Sequence, residues 1–347
     1  MLDMSFKVTV QPSGHSFDVQ PGQSVLDGAL NAGIVLPYSC RNGTCSSCRG
    51  KVIDGQYDAG RAPEQLLSQE DLAAGYTLFC QAKPSSDLLI ESHEIRMASD
   101  IQIRKMPSRV VSLEKVRDDV MIVRLQMPSS EPFRYYPGQY LEFILKDGSR
   151  RSYSMATPPR EDNQVELHIR HMPGGVFTDH VFGAGATAMK EREILRVEAP
   201  LGSFFLREDS AAPMVFLASG TGFAPIKALI ERLIQTGSQR EVALYWGGRR
   251  PKDLYQSELA EKWASELPNL RFIPVISDAQ PEDGWTGRTG FVHQAVLADL
   301  PDLSAWQVYA CGAPGMVEAA RKDFVEQAHL NPDNYFADAF TSLADVK

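Results

Sequence analysis

The chain has 347 residues, enough for two or three domains that each bury a core of their own. Its composition, 43% hydrophobic and 23% charged, is that of a folded globular protein. The net charge of -9 argues against a nucleic-acid partner and against an anionic membrane, because both select a basic surface. The sequence has no apolar run as long as a membrane span and no signal-peptide pattern, so we expect a cytoplasmic protein.

The first segment, residues 1–94, has the pattern of a small α+β domain. Two alternating runs, residues 6–10 and 16–19, flank a Pro-Ser-Gly-His turn and predict a β-hairpin. A short helix is expected next, with Ser24 as its N-cap and Gly33 just past its end.

Four of the five cysteines lie in this segment, three of them on one loop with the spacing C-x4-C-x2-C. Gly43 and small neighbours allow the loop to wrap tightly and to direct backbone N–H groups at the sulfur atoms. A structural zinc site is the alternative, but zinc usually takes its ligands as two short pairs on separate loops. The spacing therefore predicts a plant-type 2Fe–2S cluster bound by Cys40, Cys45, Cys48 and Cys80.

A linker and a β-rich segment are predicted next. Residues 95–106 have mixed charges and no sustained period, which is typical of a linker. Residues 107–208 contain alternating runs separated by glycine and proline, which predict a small antiparallel β-barrel. The run 200–204, which contains Gly202, is expected to close this barrel.

The barrel segment also carries candidate flavin-binding residues. Arg151, Tyr153 and Ser154 alternate on one predicted strand. A guanidinium, an aromatic ring and a hydroxyl in that arrangement can pair with a pyrophosphate, lie against a flavin ring and bond to its edge. Gly175 and Thr178 precede a predicted helix and form a candidate phosphate site.

The last segment, residues 209–347, alternates buried strands with helical patterns, which predicts a doubly wound parallel sheet of the α/β class. Gly220, Thr221, Gly222 and Pro225 lie between a continuous apolar strand and the start of a helix. Glycines at this place let a backbone approach a pyrophosphate, so the loop is a candidate nicotinamide-coenzyme site.

Further candidates lie near the end of the chain. Cys311 and Gly312 follow a strand, at the edge of the sheet where such folds bind ligands, although a lone cysteine is also often a small buried hydrophobe. Arg249, Arg250 and Lys252 could meet a 2′-phosphate or form a solvated basic loop.

In this order and spacing, the last two segments resemble the ferredoxin–NADP reductase superfamily, and the first resembles a plant-type ferredoxin of β-grasp fold. The resemblance implies that Arg151 binds the FAD pyrophosphate and that Tyr153 lies against the isoalloxazine. Ser154 would lie near the reactive flavin nitrogen, and Thr178 at the phosphates. FMN is the alternative flavin.

The resemblance also implies that Cys311 contacts the nicotinamide at its hydride-carrying carbon. It further implies that Phe340 covers the flavin face and that Asp338 lies by the hydride path. His168 and His171 are expected to be structural.

The same order of domains is found in reductases that serve CDP-sugar 3-dehydrases and oxygenases. The resemblance therefore implies electron flow from NAD(P)H to FAD, to the 2Fe–2S cluster and to an acceptor protein of one of these two kinds. It slightly favours NADH over NADPH. Two alternatives stay open: an enzyme that reduces free flavin or dioxygen directly, and a redox sensor without catalytic activity.

Overall fold

The computed structural model describes residues 5–64, 66–92, 95–97 and 101–340. Contacts divide the chain into two compact units. The first contains the described residues up to Gln102, the short segment Gly202–Phe204, and the described end from Ala339. The second contains Ile103–Leu201 and Phe205–Asp338. Within these described ranges no helix has the length and apolarity that crossing a bilayer requires.

The first unit is a small domain of short strands with two helices. Its strands are β1 (Phe6–Gln11), β2 (Ser16–Val19), β3 (Ile34–Val35), β4 (Arg49–Asp54), β5 (Tyr57–Asp58), β6 (Tyr76–Leu78), β7 (Lys83–Pro84), β8 (Leu88–Glu91) and β9 (Arg96–Met97). Its helices are α1 (Val25–Asn31) and α2 (Gln69–Ala73).

A mixed five-stranded sheet in the order β2-β1-β8-β4-β6 organises this unit. β1 pairs antiparallel with β2, which confirms the predicted hairpin, and parallel with β8. Val8 and Val10 alternate into the core, as a half-buried strand requires. Ser24 caps α1 by accepting a hydrogen bond from the Asp27 N–H. A mixed sheet with a capped helix against it confirms the predicted β-grasp fold.

The second unit begins with an antiparallel sheet. Its strands are β10 (Arg104–Arg117), β11 (Val120–Gln126), β12 (Tyr140–Ile144), β13 (Arg150–Ser154), β14 (Gln164–Arg170) and β15 (Ile194–Leu201), and its helix is α3 (Val176–Phe182). The strand order is β13-β12-β15-β10-β11-β14. A bridge between Met155 and Leu167 joins the two ends, so the sheet forms the predicted barrel.

The longest strand of the barrel was not predicted. β10 has 14 residues and begins at Arg104, so three residues of the expected linker lie in a strand paired with β15. Only Val110 and Ser108 of this strand are buried, and its other positions are half-buried or exposed. The strand therefore has no apolar alternation that a sequence pattern could reveal.

A parallel sheet with flanking helices completes the second unit and confirms the predicted doubly wound fold. Its strands are β16 (Met214–Ser219), β17 (Val242–Gly248), β18 (Leu270–Ile276), β19 (Arg288–Thr289), β20 (Gln307–Gly312) and β21 (Tyr335–Ala339). Its helices are α4 (Phe223–Thr236), α5 (Ser257–Glu266), α6 (Val292–Asp299) and α7 (Pro314–Gln327). The order β19-β18-β17-β16-β20-β21 places the carboxyl ends of β16 and β20 side by side. Ligands bind at such an edge.

Candidate functional site

The four cysteines of the first unit form two thiol pairs. Cys40 is hydrogen-bonded to Cys45, and Cys48 to Cys80. The hydrogen bond with Cys45 lowers the pKa of the Cys40 thiol to about 5, and the bond with Cys48 lowers that of Cys80. Among the described residues, no group of three or more His, Cys, Asp and Glu side chains is arranged to hold a single metal ion. Two pairs fit a two-iron cluster, which takes two thiolates per iron, better than one tetrahedral zinc.

Close packing keeps this loop near the fourth cysteine. Gly43 has a φ of +81°, and a Cβ there would lie 2.9 Å from the Gln81 side chain. Gln81 in turn directs its Nε2 at the Cys80 sulfur, 3.7 Å away. A Cβ on Gly50 would lie 2.2 Å from the Phe79 ring, so the strand after the loop also needs glycine. The chemistry and crowding of this site fit the predicted cluster.

The predicted flavin residues lie on β13, with distinct surroundings. Arg150 pairs with Glu142 at 2.7 Å and also with Glu198, so carboxylates already neutralise it. Arg151 donates to the Arg150 carbonyl at 2.8 Å, and no carboxylate of the described residues lies within ion-pair distance of it. Its charge is therefore available to a phosphate.

Tyr153, the second predicted flavin-binding residue of β13, lies in an aromatic cluster. Tyr153 lies 5.9 Å from the Phe143 ring and 5.5 Å from the Phe177 ring. Burial raises the pKa of the Tyr153 hydroxyl, so the group stays neutral. The strand thus offers a guanidinium and a neutral aromatic ring, which fit a flavin nucleotide.

The candidate phosphate turn before α3 is held by a hydroxyl of the helix: Thr178, predicted to precede the helix, lies within α3. Thr178 is buried, and its Oγ1 donates to the Met172 carbonyl at 2.9 Å and accepts from the Met172 N–H at 3.2 Å. A Cβ on Gly175 would lie 2.7 Å from that Oγ1, which explains the glycine. The structure therefore shows Thr178 bracing the turn at Gly174, and its predicted contact with phosphate stays a prediction.

Gly202 lies just past the end of β15. Gly202–Phe204 clusters with the first unit, and the predicted place of this segment in the barrel and the predicted cofactor contact of Gly202 stay predictions. Ser203 Oγ accepts from the Tyr38 N–H at 2.7 Å and donates to the Tyr38 carbonyl at 3.0 Å. These hydrogen bonds explain why the segment clusters with the first unit. The segment's glycine and proline composition gave no sign of them.

The predicted coenzyme loop interlocks with the end of β20. A Cβ on Gly222 would lie 2.2 Å from the Cys311 carbonyl oxygen. Gly312 has a φ of +129°, and a Cβ there would lie 2.2 Å from Ser219 Oγ. The structure thus brings the loop at Gly220, Thr221 and Gly222 together with Cys311 and Gly312, at the carboxyl edge of the sheet, where folds of this class bind ligands. Pro225 is buried in the first turn of α4.

A hydroxyl, a carboxylate and a thiol meet inside the second unit. Ser154 Oγ donates to Asp338 Oδ2 at 3.0 Å, and both residues are buried. The Asp338 backbone is hydrogen-bonded to the Cys311 thiol. Burial, reinforced by the Asp338 charge, raises the pKa of that thiol well above its ordinary value. Cys311 is therefore a neutral, fully buried thiol beside a carboxylate.

The site residues near the chain end differ in how well the sequence indicated them. Asp338 was indicated only by resemblance, and no local pattern pairs it with Ser154, which is 184 positions away. Phe340 follows β21, is half-buried and belongs to the first unit. Its predicted role at the flavin stays a prediction.

The basic loop after β17 lines a cavity of about 280 Å³. Its lining residues are Arg170, Arg249, Arg250, Lys252, Asp253 and Asp278. Arg250 is engaged by Asp283 at 2.6 Å and by Glu282 at 3.0 Å, whereas Arg249 is largely exposed, 3.8 Å from Asp278. Acidic groups thus balance part of the positive charge, which the sequence pattern did not indicate.

Three family models match the chain, one for each predicted domain. The 2Fe-2S iron-sulfur cluster binding domain matches residues 8–85, the oxidoreductase FAD-binding domain residues 107–206, and the oxidoreductase NAD-binding domain residues 216–322. These matches show that the cofactors are a 2Fe–2S cluster, FAD and NAD(P)H.

Characterised proteins are similar over nearly the whole chain. A CDP-6-deoxy-L-threo-D-glycero-4-hexulose-3-dehydrase reductase of Yersinia pseudotuberculosis is 42% identical, with 97% of this chain and 99% of that protein covered. A terephthalate 1,2-dioxygenase reductase component of Comamonas sp is 35% identical, with 98% of both covered. The crystal structure of an Amycolatopsis cytochrome P450 reductase superposes with a TM-score of 0.76 at 35% identity, covering 97% of this chain and 99% of that one. The chain therefore belongs to the family of iron–sulfur flavoprotein reductases that join a 2Fe–2S domain to FAD- and NAD-binding domains, and it is an NAD(P)H-dependent oxidoreductase.

Proposed function

We propose that this reductase takes electrons from NADH, passes them through FAD to the 2Fe–2S cluster, and delivers them to a partner protein. The partner would be a CDP-sugar 3-dehydrase or the oxygenase component of a dioxygenase. What carries the proposal is the combination, in one chain, of two thiol pairs suited to a cluster and a buried Ser154–Asp338–Cys311 group suited to hydride transfer.

Each proposed role follows from the chemistry of the side chain. Cys40 and Cys45 would bind one iron, and Cys48 and Cys80 the other. Arg151 would bind the FAD pyrophosphate, because its guanidinium has no carboxylate partner among the described residues.

FAD, when bound, accepts two electrons as hydride and releases them singly, as a one-electron cluster requires. Tyr153 would pack against the flavin and exclude water. The backbone of Gly220, Thr221 and Gly222 would bind the coenzyme phosphates, since glycine permits close approach.

Ser154 and Asp338 would manage the proton that accompanies electron release. The Ser154 hydroxyl donates to a buried carboxylate, so its own proton can pass to Asp338 along the existing hydrogen bond as the Ser154 oxygen accepts another. Cys311, held neutral by burial, would orient the nicotinamide without attacking it.

NADH is the proposed coenzyme because acidic residues compete for the basic loop. Asp278, Glu282 and Asp283 lie close to Arg249 and Arg250, and they would repel a 2′-phosphate. We place the protein in the cytoplasm, because none of its described cysteines forms a disulfide, as in a reducing compartment.

The experiment uses the reconstituted holoprotein with each kind of partner in turn. We expect NADH oxidation that depends on the partner and on its substrate, with either a CDP-sugar 3-dehydrase or a terephthalate-type oxygenase. NADH oxidation stimulated by free FMN but by neither partner would overturn the proposal in favour of a flavin-reducing enzyme. Absence of NADH oxidation with every acceptor would indicate a redox sensor.

A further inference from the structure

Four polar side chains from the barrel and the parallel-sheet part meet inside the second unit. Glu166 and His168 lie on β14, Lys227 lies on α4, and Tyr255 lies before α5; all four are buried. We call these four residues the buried network. None of them has a role in the proposed electron path, and burying several ionisable groups is costly unless they satisfy one another.

The hydrogen bonds fix which groups of the network donate and which accept. His168 Nε2 lies 3.0 Å from Glu166 Oε1, and His168 Nδ1 lies 2.7 Å from the Tyr255 hydroxyl. A carboxylate oxygen only accepts, so Nε2 carries the proton and Nδ1 accepts from Tyr255. Burial lowers the pKa of His168, which agrees with a neutral ring. Arg124 also contacts Glu166, at 2.9 Å.

One end of the network holds the backbone just past Ser154. Lys227 Nζ lies 3.2 Å from Glu166 Oε1 and donates to the Ala156 carbonyl at 3.2 Å. The Ala156 N–H donates to the Glu166 carbonyl at 2.7 Å. Both backbone polar groups of Ala156 are thus bound to members of the network, two residues beyond the Ser154 hydroxyl.

The other end reaches the coenzyme loop. The Tyr255 ring packs edge-on against Trp246, with centroids 5.3 Å apart and an interplanar angle of 90°. Trp246 Nε1 donates to the Gly220 carbonyl at 3.1 Å, and its indole stacks on Phe223 at 3.9 Å. A continuous set of contacts therefore joins the strand end at Ala156 to the loop that begins at Gly220.

We infer that the buried network is a positioning device: it fixes the coenzyme loop relative to Ser154 and so sets the geometry of hydride transfer. The inference rests on the proposed function of these two segments. All hydrogen bonds and ion pairs of the buried network form in only one relative position of the two segments. The network therefore stabilises that position over others. Hydride transfer is sensitive to such geometry, because a displacement of about 1 Å can cost about 100-fold in rate.

The test measures flavin reduction by NADH in stopped flow, on holoprotein of known FAD content. Lys227→Met removes the charge that joins Glu166 to Ala156. We expect its limiting rate at saturating NADH to fall roughly tenfold, with FAD retained. Glu231→Gln is the matched control: Glu231 contacts Lys227 at 2.7 Å but lies on the same helix, so the rate should stay at the wild-type value.

A double variant separates positioning from stability. Glu166→Gln with Lys227→Met removes both charges, so the melting temperature should return toward wild type while the hydride-transfer rate stays low. Tyr255→Phe, which keeps the ring packing, should lower the rate a few-fold without loss of folding. Recovery of the rate together with stability, or a wild-type rate in Lys227→Met or Tyr255→Phe, would overturn the inference. A wild-type protein that transfers no hydride would instead overturn the proposed function.

Discussion

The Ser154 hydroxyl donates to the Asp338 carboxylate at 3.0 Å inside the second unit, across 184 positions of sequence. The contact joins the end of a barrel strand to the last strand of the parallel sheet. It places a proton-carrying group and its acceptor beside the Cys311 thiol, which the Asp338 charge helps to keep protonated.

Removing either member of this pair should slow electron release. We expect Ser154→Ala and Asp338→Asn to lower the rate of flavin reoxidation by about 10²-fold, because a positioned proton carrier is lost. The measurement is stopped-flow absorbance of the flavin. Ser152→Ala is the control, since Ser152 is exposed on the same strand and its hydroxyl donates to Glu142 at 3.1 Å. Equal rates in all three variants would remove Ser154 and Asp338 from the proton path.

Cys311→Ala tests the role of the thiol. Loss of orientation should slow flavin reduction by on the order of tenfold, while FAD stays bound. Cys311→Ser, which keeps a small polar group, should retain more activity than the alanine variant. An unchanged hydride-transfer rate in Cys311→Ala would mean that the thiol is only a buried core residue.

Gly222→Ala tests the close approach of the coenzyme loop to β20. The new Cβ would lie 2.2 Å from the Cys311 carbonyl oxygen, so the loop must shift. We expect the free energy of unfolding to fall by about 1–3 kcal/mol and NADH to bind much more weakly. Gly315→Ala is the control, because a Cβ there meets nothing within 4 Å. Thermal melts measure the stability of both variants, and NADH titrations measure their coenzyme binding. Equal melting temperatures and equal NADH binding in Gly222→Ala and Gly315→Ala would contradict the packing argument.

The buried network should make stability depend on pH. Burial lowers the pKa of His168 below its ordinary 6.5, so the unfolded chain binds a proton first as the pH falls. Burial alone would raise the pKa of Glu166, but the hydrogen bond from His168 and the charges of Lys227 and Arg124 outweigh it and lower that pKa. Neutral His168 and ionised Glu166 therefore contribute fully to the free energy of unfolding at neutral pH. Both contributions are lost as the pH falls.

Melting temperatures between pH 7.5 and pH 5 check this expectation. The wild type should lose stability as the pH falls below about 6.5, and His168→Gln should show a shallower decline. His15→Gln, an exposed substitution in the turn between β1 and β2, should keep the wild-type slope. An identical slope in His168→Gln would show that His168 does not contribute.

The sequence predicted what local patterns encode. The cysteine spacing identified the cluster ligands, and the helical period of Ile226, Leu229, Ile230 and Leu233 identified α4. The pairing of Cys48 with Cys80 depends on how the sheet folds, which spacing does not encode. The contact between Ser154 and Asp338 and the buried network join distant segments, so no window of sequence contains them.

Cys80→Ser tests the direction of electron flow most directly. The variant removes one cluster ligand, and the barrel and the parallel-sheet part have buried residues of their own, separate from the core of the cluster domain. Ser85→Ala, an exposed change in the same domain, is the control. With NADH as donor, ferricyanide reduction should stay near the wild-type rate, because the flavin can reduce a small acceptor, while cytochrome c reduction should fall sharply. A parallel loss of both activities, or no loss of either, would contradict a linear path from NADH through FAD to the cluster.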